Sequence, residues 1–186
     1  HINKPDLMTL AKQLSSAYMP ISASVIKGEL YEAMLEPSAQ VGVFGHGYTY
    51  SGHPTACAVA LKTLQIYERD NLFAHAAAVG EYMQEKLRQF ATHPLVGEVR
   101  GKGLIGAIEM VANKATGEAF ANTAVGAHAL QVCQDNGLIL RLVGGNCLAF
   151  CPPLIITCEQ IDEIMAAVAT ALDAAWQYAD QEGLLQ

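Results

Sequence analysis

The sequence predicts a mixed α/β chain in two parts, a helix-rich portion over residues 1–93 and a small α+β domain over residues 94–186. Three observations carry that reading. Ala56, Val59, Ala60, Thr63, Leu64 and Tyr67 recur at the spacing of one helical face. From Val96 onward, apolar runs of strand length alternate with helical spacing. Before residue 93 the one strand-like stretch is "ISASVIKG", read as buried, and a single strand needs neighbours from elsewhere to make a sheet.

Taken in order, "DLMTLAKQLSSAY" (6–18) sets Leu7, Leu10, Ala11 and Leu14 on one face and predicts a short helix ended by Pro20. "ISASVIKG" follows as a strand, and "ELYEAML" as a short helix closed by Pro37. The glycine-rich "QVGVFGHGYTYSGHP" is a loop. Pro54 stands in the first turn of the next helix, where a missing amide has no intrahelical partner to lose. "DN" at 70–71 restarts a helix that stops before Pro94. "VGEVRGKGLIGAIEM" reads as two short strands or one bent strand, and "NTAVGAHALQVCQDNG" as a helix with Gly137 at its C-cap. "LILRLV" and "CLAFCP" form a hairpin around "GGN". Thr157 and Gln160 match a capping box opening a last helix, with Ile161, Ile164, Met165, Val168, Leu172 and Trp176 on its apolar face.

Composition narrows the function. The 186 residues are 52% apolar and carry a formal net charge of −7, with eleven scattered lysines and arginines. Nucleic-acid binding needs clustered cations, so that class is excluded. No apolar stretch approaches the roughly 18 residues of a membrane span, and no signal peptide opens the chain. Five cysteines make no CxxC pair or zinc spacing and lie in apolar settings, as reduced core thiols of a cytoplasmic protein would. The first residue is His1, not Met, which reads as processing or as a portion of something longer.

Three places could carry chemistry. Lys12 is the only charged side chain between Asp6 and Lys27, and a lysine among apolar neighbours can be activated as a nucleophile; the alternative is an exposed lysine on a surface helix. In "LILRLV", alternation puts Leu138, Leu140 and Leu142 on one face and Ile139, Arg141 and Val143 on the other. With no acid within three residues, Arg141 invites an anion such as a carboxylate; the alternative is an edge strand facing solvent. The loop before Pro54 offers Thr49, Ser51 and helix-start amides to a phosphate, or caps its own helix with those hydroxyls. His46 and His53 lack the further ligands a metal requires. An activatable amine, a phosphate seat and a carboxylate clamp are together what pyridoxal-phosphate chemistry on amines needs.

Four blocks in order, "PDLMTLAKQLSSAYMPISA", "GHGYTYSGHPTACAVAL", "VRGKGLIGAIEM" and "GLILRLVGGNCLAFCPPLIIT", resemble the class III aminotransferases, most of all omega-aminotransferases of the β-alanine–pyruvate type. The resemblance implies the C-terminal half of a fold-type I enzyme: the end of the large pyridoxal-phosphate domain (1–93) and the small C-terminal α+β domain (94–186). It places Lys12 on the lysine that joins the cofactor as a Schiff base and then shuttles the proton. Tyr48, through its amide, and Thr49 fall on the pair that reaches the cofactor phosphate of the neighbouring subunit in a homodimer. Arg141 falls on the mobile arginine that holds a substrate carboxylate, while Tyr18 and Pro20 line the lysine's neighbourhood.

This sequence departs from the family at Gln13 and Ala17, where glycine is common, and at "GGN", where Gly-Asp often follows the arginine. The family's aspartate for the pyridine nitrogen, its ring-stacking aromatic and its Gly-Ser phosphate pair fall before residue 1, and Asp6 is not that aspartate. The expected activity of the full-length parent is transfer of an amino group from an amine or omega-amino acid to a keto acid such as pyruvate. The alternatives are a non-catalytic portion of such an enzyme, or an aminomutase or decarboxylase using the same cofactor.

Overall fold

The computed structural model describes residues 4–186, and the chain divides into two compact units, His1–Asp70 and Asn71–Gln186. The break thus comes earlier than the expected position near residue 93. The reason is the helix Leu72–Gln89, whose Val79, Met83 and Leu87 lie in one core with the C-terminal strands.

In the first unit, β1 (Leu7–Leu10) pairs antiparallel with β2 (Ala23–Ile26), Leu7 opposite Ile26 and Leu10 opposite Ala23. The helix expected over 6–18 is therefore a strand followed by a 3-10 turn, Lys12–Leu14. Left-handed backbone at Lys12, Ser16 and Ala17 (φ 50°, 51° and 62°) rules out a continuous helix, and pairing with β2 satisfies strand amides instead. β2 finds a neighbour within the chain rather than elsewhere. Nor is it buried: Ser24 and Val25 are exposed, and Ala23 and Ile26 are half-buried.

α1 (Gly28–Val41) runs through Pro37, where a stop was expected. A proline this near the end removes one late hydrogen bond only. The helix stops at Gly42, whose φ of 85° lets its amide donate to the Ser38 carbonyl at 2.8 Å. α2 (Pro54–Arg69) starts as predicted, but its cap is a ring and not a hydroxyl: Nδ1 of His53 accepts from the Ala56 amide at 3.5 Å. Toward the other end of α2, the buried Tyr67 donates its hydroxyl to the Gln13 carbonyl at 2.9 Å. That bond fastens the Lys12–Leu14 turn to the helix. Ser15, 1% exposed, holds the turn from inside by donating to the Met19 carbonyl at 2.6 Å.

The second unit is built on a four-stranded antiparallel sheet in the order β3-β4-β6-β5, from β3 (Val96–Lys102), β4 (Ile105–Met110), β5 (Arg141–Val143) and β6 (Cys147–Phe150). α3 (Leu72–Gln89), α4 (Ala124–Asp135) and α5 (Cys158–Gln181) complete it. Register aligns Val99, Ile108, Leu148 and Leu142 in one row across the strands, and this row joins the core with Leu87, Val125, Val168 and Leu172 of the helices. Full burial of such a side chain contributes about 1.5–3 kcal/mol. The next row along the strands, Arg100, Ala107, Ala149 and Arg141, faces the other way.

β3 and β4 are two strands, not one bent strand, because Gly103 turns the chain at φ 57° and α3 packs onto that turn. A Cβ on Gly80 would lie 2.6 Å from the Gly103 Cα, so the close approach requires glycine. Beside it the Gln84 side chain donates to the carbonyls of Gly103 at 2.7 Å and Ile105 at 3.0 Å. The Thr157–Gln160 capping box is present with both of its hydrogen bonds. Along α5 the buried stripe passes through Ile161, Met165, Val168, Leu172, Ala175 and Ala179, while Trp176, expected on that face, is 38% exposed. Alanines let α5 lie close to its neighbours where an indole would hold it away.

The five cysteines are unpaired, and Cys133 and Cys147 are buried as expected; Cys57 and Cys151 are exposed, contrary to the reading of all five as core thiols. Burial pushes the Cys133 thiol up to about 11.

Replacing Gly80 with Ala is expected to lower stability by about 1–3 kcal/mol, since backbone rather than a flexible side chain stands in the way; the midpoint of urea unfolding measures this. Tyr67→Phe is expected to cost about 1 kcal/mol and to speed amide exchange at residues 14–18 selectively, as seen by hydrogen–deuterium exchange.

Candidate active site

Lys12 opens the 3-10 turn directly after β1 and holds a left-handed backbone that costs a non-glycine residue on the order of 1–3 kcal/mol. Its carbonyl accepts from the amides of Ser15 at 3.3 Å and Ala17 at 3.2 Å, so the strained residue is the pivot of the turn. The side chain is exposed, and the burial expected around its amine is not found in this chain. It lines a cleft of about 390 Å³ with Thr9, Leu10, Ser22 and Ser24, and among the described residues no carboxylate pairs with it. The nearest acid in sequence, Asp6, is held by Lys27.

The loop before α2 folds on itself. The Tyr48 amide donates to Ser51 Oγ at 2.9 Å, and the Ser51 amide donates back to the Tyr48 carbonyl at 2.9 Å. The amide expected to meet a phosphate is therefore already engaged. Thr49, between them, is exposed, and neither its amide nor its hydroxyl has a partner among the described residues. Tyr48 and Ser51 line a cleft of about 550 Å³ together with Pro20, Ser22 and His53. Ser22 and Ala23 line this cleft and the lysine's alike, but Lys12 and Tyr48 line different ones. Pro20, expected beside the lysine, belongs to the Tyr48 cleft, and Tyr18 is 83% exposed.

Arg141 lies in the second unit as the first residue of edge strand β5, opposite Ala149. The expected alternation holds: Leu138, Leu140 and Leu142 pack on the core, whereas Ile139 and Arg141 are exposed. Arg141 lines a largely apolar cleft of about 440 Å³ with Ile139, Val143, Ala149 and Cys151, and no acid partners it among the described residues. The other arginine of its row shows the contrast. Arg100 binds Glu98 at 2.7 Å and Glu109 at 2.5 Å and lies 3.7 Å from Cys147 Sγ. Glu109 raises the Arg100 pKa above its ordinary value, while burial pushes the Cys147 thiol up in spite of that guanidinium. On one sheet face, then, one guanidinium is neutralised and the other is open.

Two residues that the sequence reading left without a role shape these places. Tyr67 is an ordinary member of a helical face by spacing, and nothing local announces a bond to Gln13, 54 residues away. Asn146 stood out only as a departure in "GGN", yet it is buried and bonded at both ends of its amide. Among the described residues no group of three His, Cys, Asp or Glu side chains is placed to hold a metal, and no helix is long and apolar enough to cross a membrane.

A family model described as aminotransferase class III matches residues 2–172. The "Gamma aminobutyrate transaminase 1, mitochondrial" of Solanum lycopersicum is 43% identical over 170 residues, which is 91% of this chain and 33% of that protein. A solved "Transaminase with L-ala" superposes with a TM-score of 0.90 at 46% identity, covering 94% of this chain and 41% of its own. The omega transaminase from Pseudomonas jessenii "in complex with PMP" gives 0.90 at 42% identity, over 94% of this chain and 39% of its own. The chain thus spans about a third of the length of the curated relative and has the α/β fold of fold-type I transaminases over the matched part. By its sequence match and by its fold, this chain belongs to the class III aminotransferases.

Proposed function

We propose that this chain is the C-terminal part of a pyridoxal-phosphate-dependent aminotransferase that moves an amino group from an amine or omega-amino acid to a keto acid such as pyruvate. The observation that carries the reading is the Lys12 amine, unpaired by any described carboxylate and lining a cleft with Thr9, Ser22 and Ser24, within a chain of this family. The residues present fit the cofactor in part: a primary amine for covalent attachment, and at Thr49 a free hydroxyl and amide suited to phosphate.

Pyridoxal phosphate, when bound, supplies the carbonyl carbon that receives the amino group and the conjugated ring that spreads the resulting charge. Lys12 Nζ would hold the cofactor covalently, and its amine, once free, would serve as the base that takes the proton from the amine-bearing carbon. Arg141 grips a donor or acceptor carboxylate through its guanidinium, and the absence of a described acid partner keeps it available. Thr49 serves the phosphate of the neighbouring subunit in a homodimer. With the Tyr48 amide held by Ser51, Thr49 takes the larger share of that contact. No carboxylate of this chain takes the part of the family's aspartate at the ring nitrogen, so residues 1–186 alone neither bind the cofactor tightly nor turn over. Five unpaired thiols suit a reducing compartment, and we place the enzyme in the cytoplasm.

In the complete enzyme, Lys12→Ala is expected to abolish turnover while leaving non-covalent cofactor binding; borohydride reduction of the wild type followed by peptide mapping should find the pyridoxyl label on Lys12. Turnover unchanged in the variant removes the assignment. Arg141→Ala is expected to weaken carboxylated substrates by about 1.5–3 kcal/mol and to spare amines without a carboxylate. Steady-state kinetics on the two substrate classes tests this, with alanine formation from pyruvate separating transamination from aminomutase or decarboxylase chemistry.

A further inference from the structure

The hairpin that carries Arg141 turns through Gly144, Gly145 and Asn146, and the last of these is only 7% exposed. Its Oδ1 accepts from the Gly126 amide at 2.7 Å, and its Nδ2 donates to the Asn122 carbonyl at 2.7 Å. Its own carbonyl accepts from the Met110 amide at 3.0 Å. One residue therefore joins the start of α4, the end of β4 and the arginine hairpin. Gly126 permits this closeness: a Cβ there would lie 2.7 Å from Cδ1 of Leu142, the residue after Arg141, and 2.8 Å from Asn146 Oδ1. The neighbouring positive φ angles, 54° at Gly144 and 96° at Gly145, leave the turn little stiffness of its own. The Asn146 amide thus supplies a donor to Asn122 and an acceptor to Gly126 from one side chain.

We propose that Asn146 is a positioning residue for substrate carboxylates: by clamping the hairpin onto α4 it fixes where Arg141 presents its guanidinium. This rests on the reading of Arg141 as the carboxylate clamp. Among the described residues β5 is a three-residue edge strand paired on one side, with β6, so its place depends on this turn more than a central strand's would. Small displacements of a substrate-holding group are costly because the reacting carbon must sit in one place.

The test uses the complete holoenzyme, with active sites counted by bound cofactor, and compares kcat/KM for an omega-amino acid with that for a carboxylate-free amine of similar length. Asn146→Ala is expected to lower the ratio of the two by about tenfold, the equivalent of one good hydrogen bond. A residue needed for folding alone would reduce both values together and leave the ratio unchanged. Asn146→Asp keeps an acceptor for the Gly126 amide and loses the amide donor to Asn122, so its ratio should fall less than that of Asn146→Ala. An unchanged ratio in both Asn146 variants, with Arg141→Ala still selective, overturns the proposal and leaves the clamp intact. An unchanged ratio in the Arg141 variant as well overturns the clamp and the proposal together.

Discussion

The pairing of β4 with β6, Ile108 opposite Leu148 and Ala107 opposite Ala149, sorts the side chains of these strands between two environments. With a side-chain period of two, sliding one strand by a single residue would bring Ala149 into the core and turn Leu148 out to solvent. The same slip carried into β5 would exchange Leu142 with Arg141 and bury a guanidinium without a partner. Burial of Ile108 and Leu148 at 0% exposure therefore holds the register, and the register in turn gives the outer face its arginines. The exposure of Arg141 on this face is a by-product of packing on the other.

The N-terminal unit works differently, since β1 is exposed along its whole length and α1 has no buried residue. What fixes its lysine turn is a small set of directed bonds, from Tyr67 to Gln13 and from Ser15 to Met19, backed by the buried Ala56, Ala60 and Thr63 of α2. Hydrogen bonds of this kind contribute modestly each but leave costly unsatisfied groups when broken.

Legibility in the sequence followed the range of the physics. Local signals read true: Pro54 at the start of α2, the Thr157 capping box, the alternation around Arg141 and the helical stripe of α5 down to Leu172. Misreadings came where a distant partner overrode a local pattern. Leu7, Leu10 and Leu14 have helical spacing, but β2 captures the first two as strand. Pro37 signals a stop that Gly42, a better terminator, makes unnecessary. Of the candidate site, the exposed arginine was visible from its neighbours, whereas the engaged Tyr48 amide and the two-ended bonding of Asn146 depend on tertiary geometry that no spacing encodes.

The left-handed backbone at Lys12 has a consequence for how this position can be probed. An alanine there keeps the same unfavourable φ of 50°, so it removes the amine and little else. Glycine would shed the conformational penalty along with the side chain, relaxing the pivot between β1 and the turn, and any gain in folded-state stability would mask what the missing amine had done. Lysine at position 12 therefore holds a torsion that glycine would adopt more comfortably.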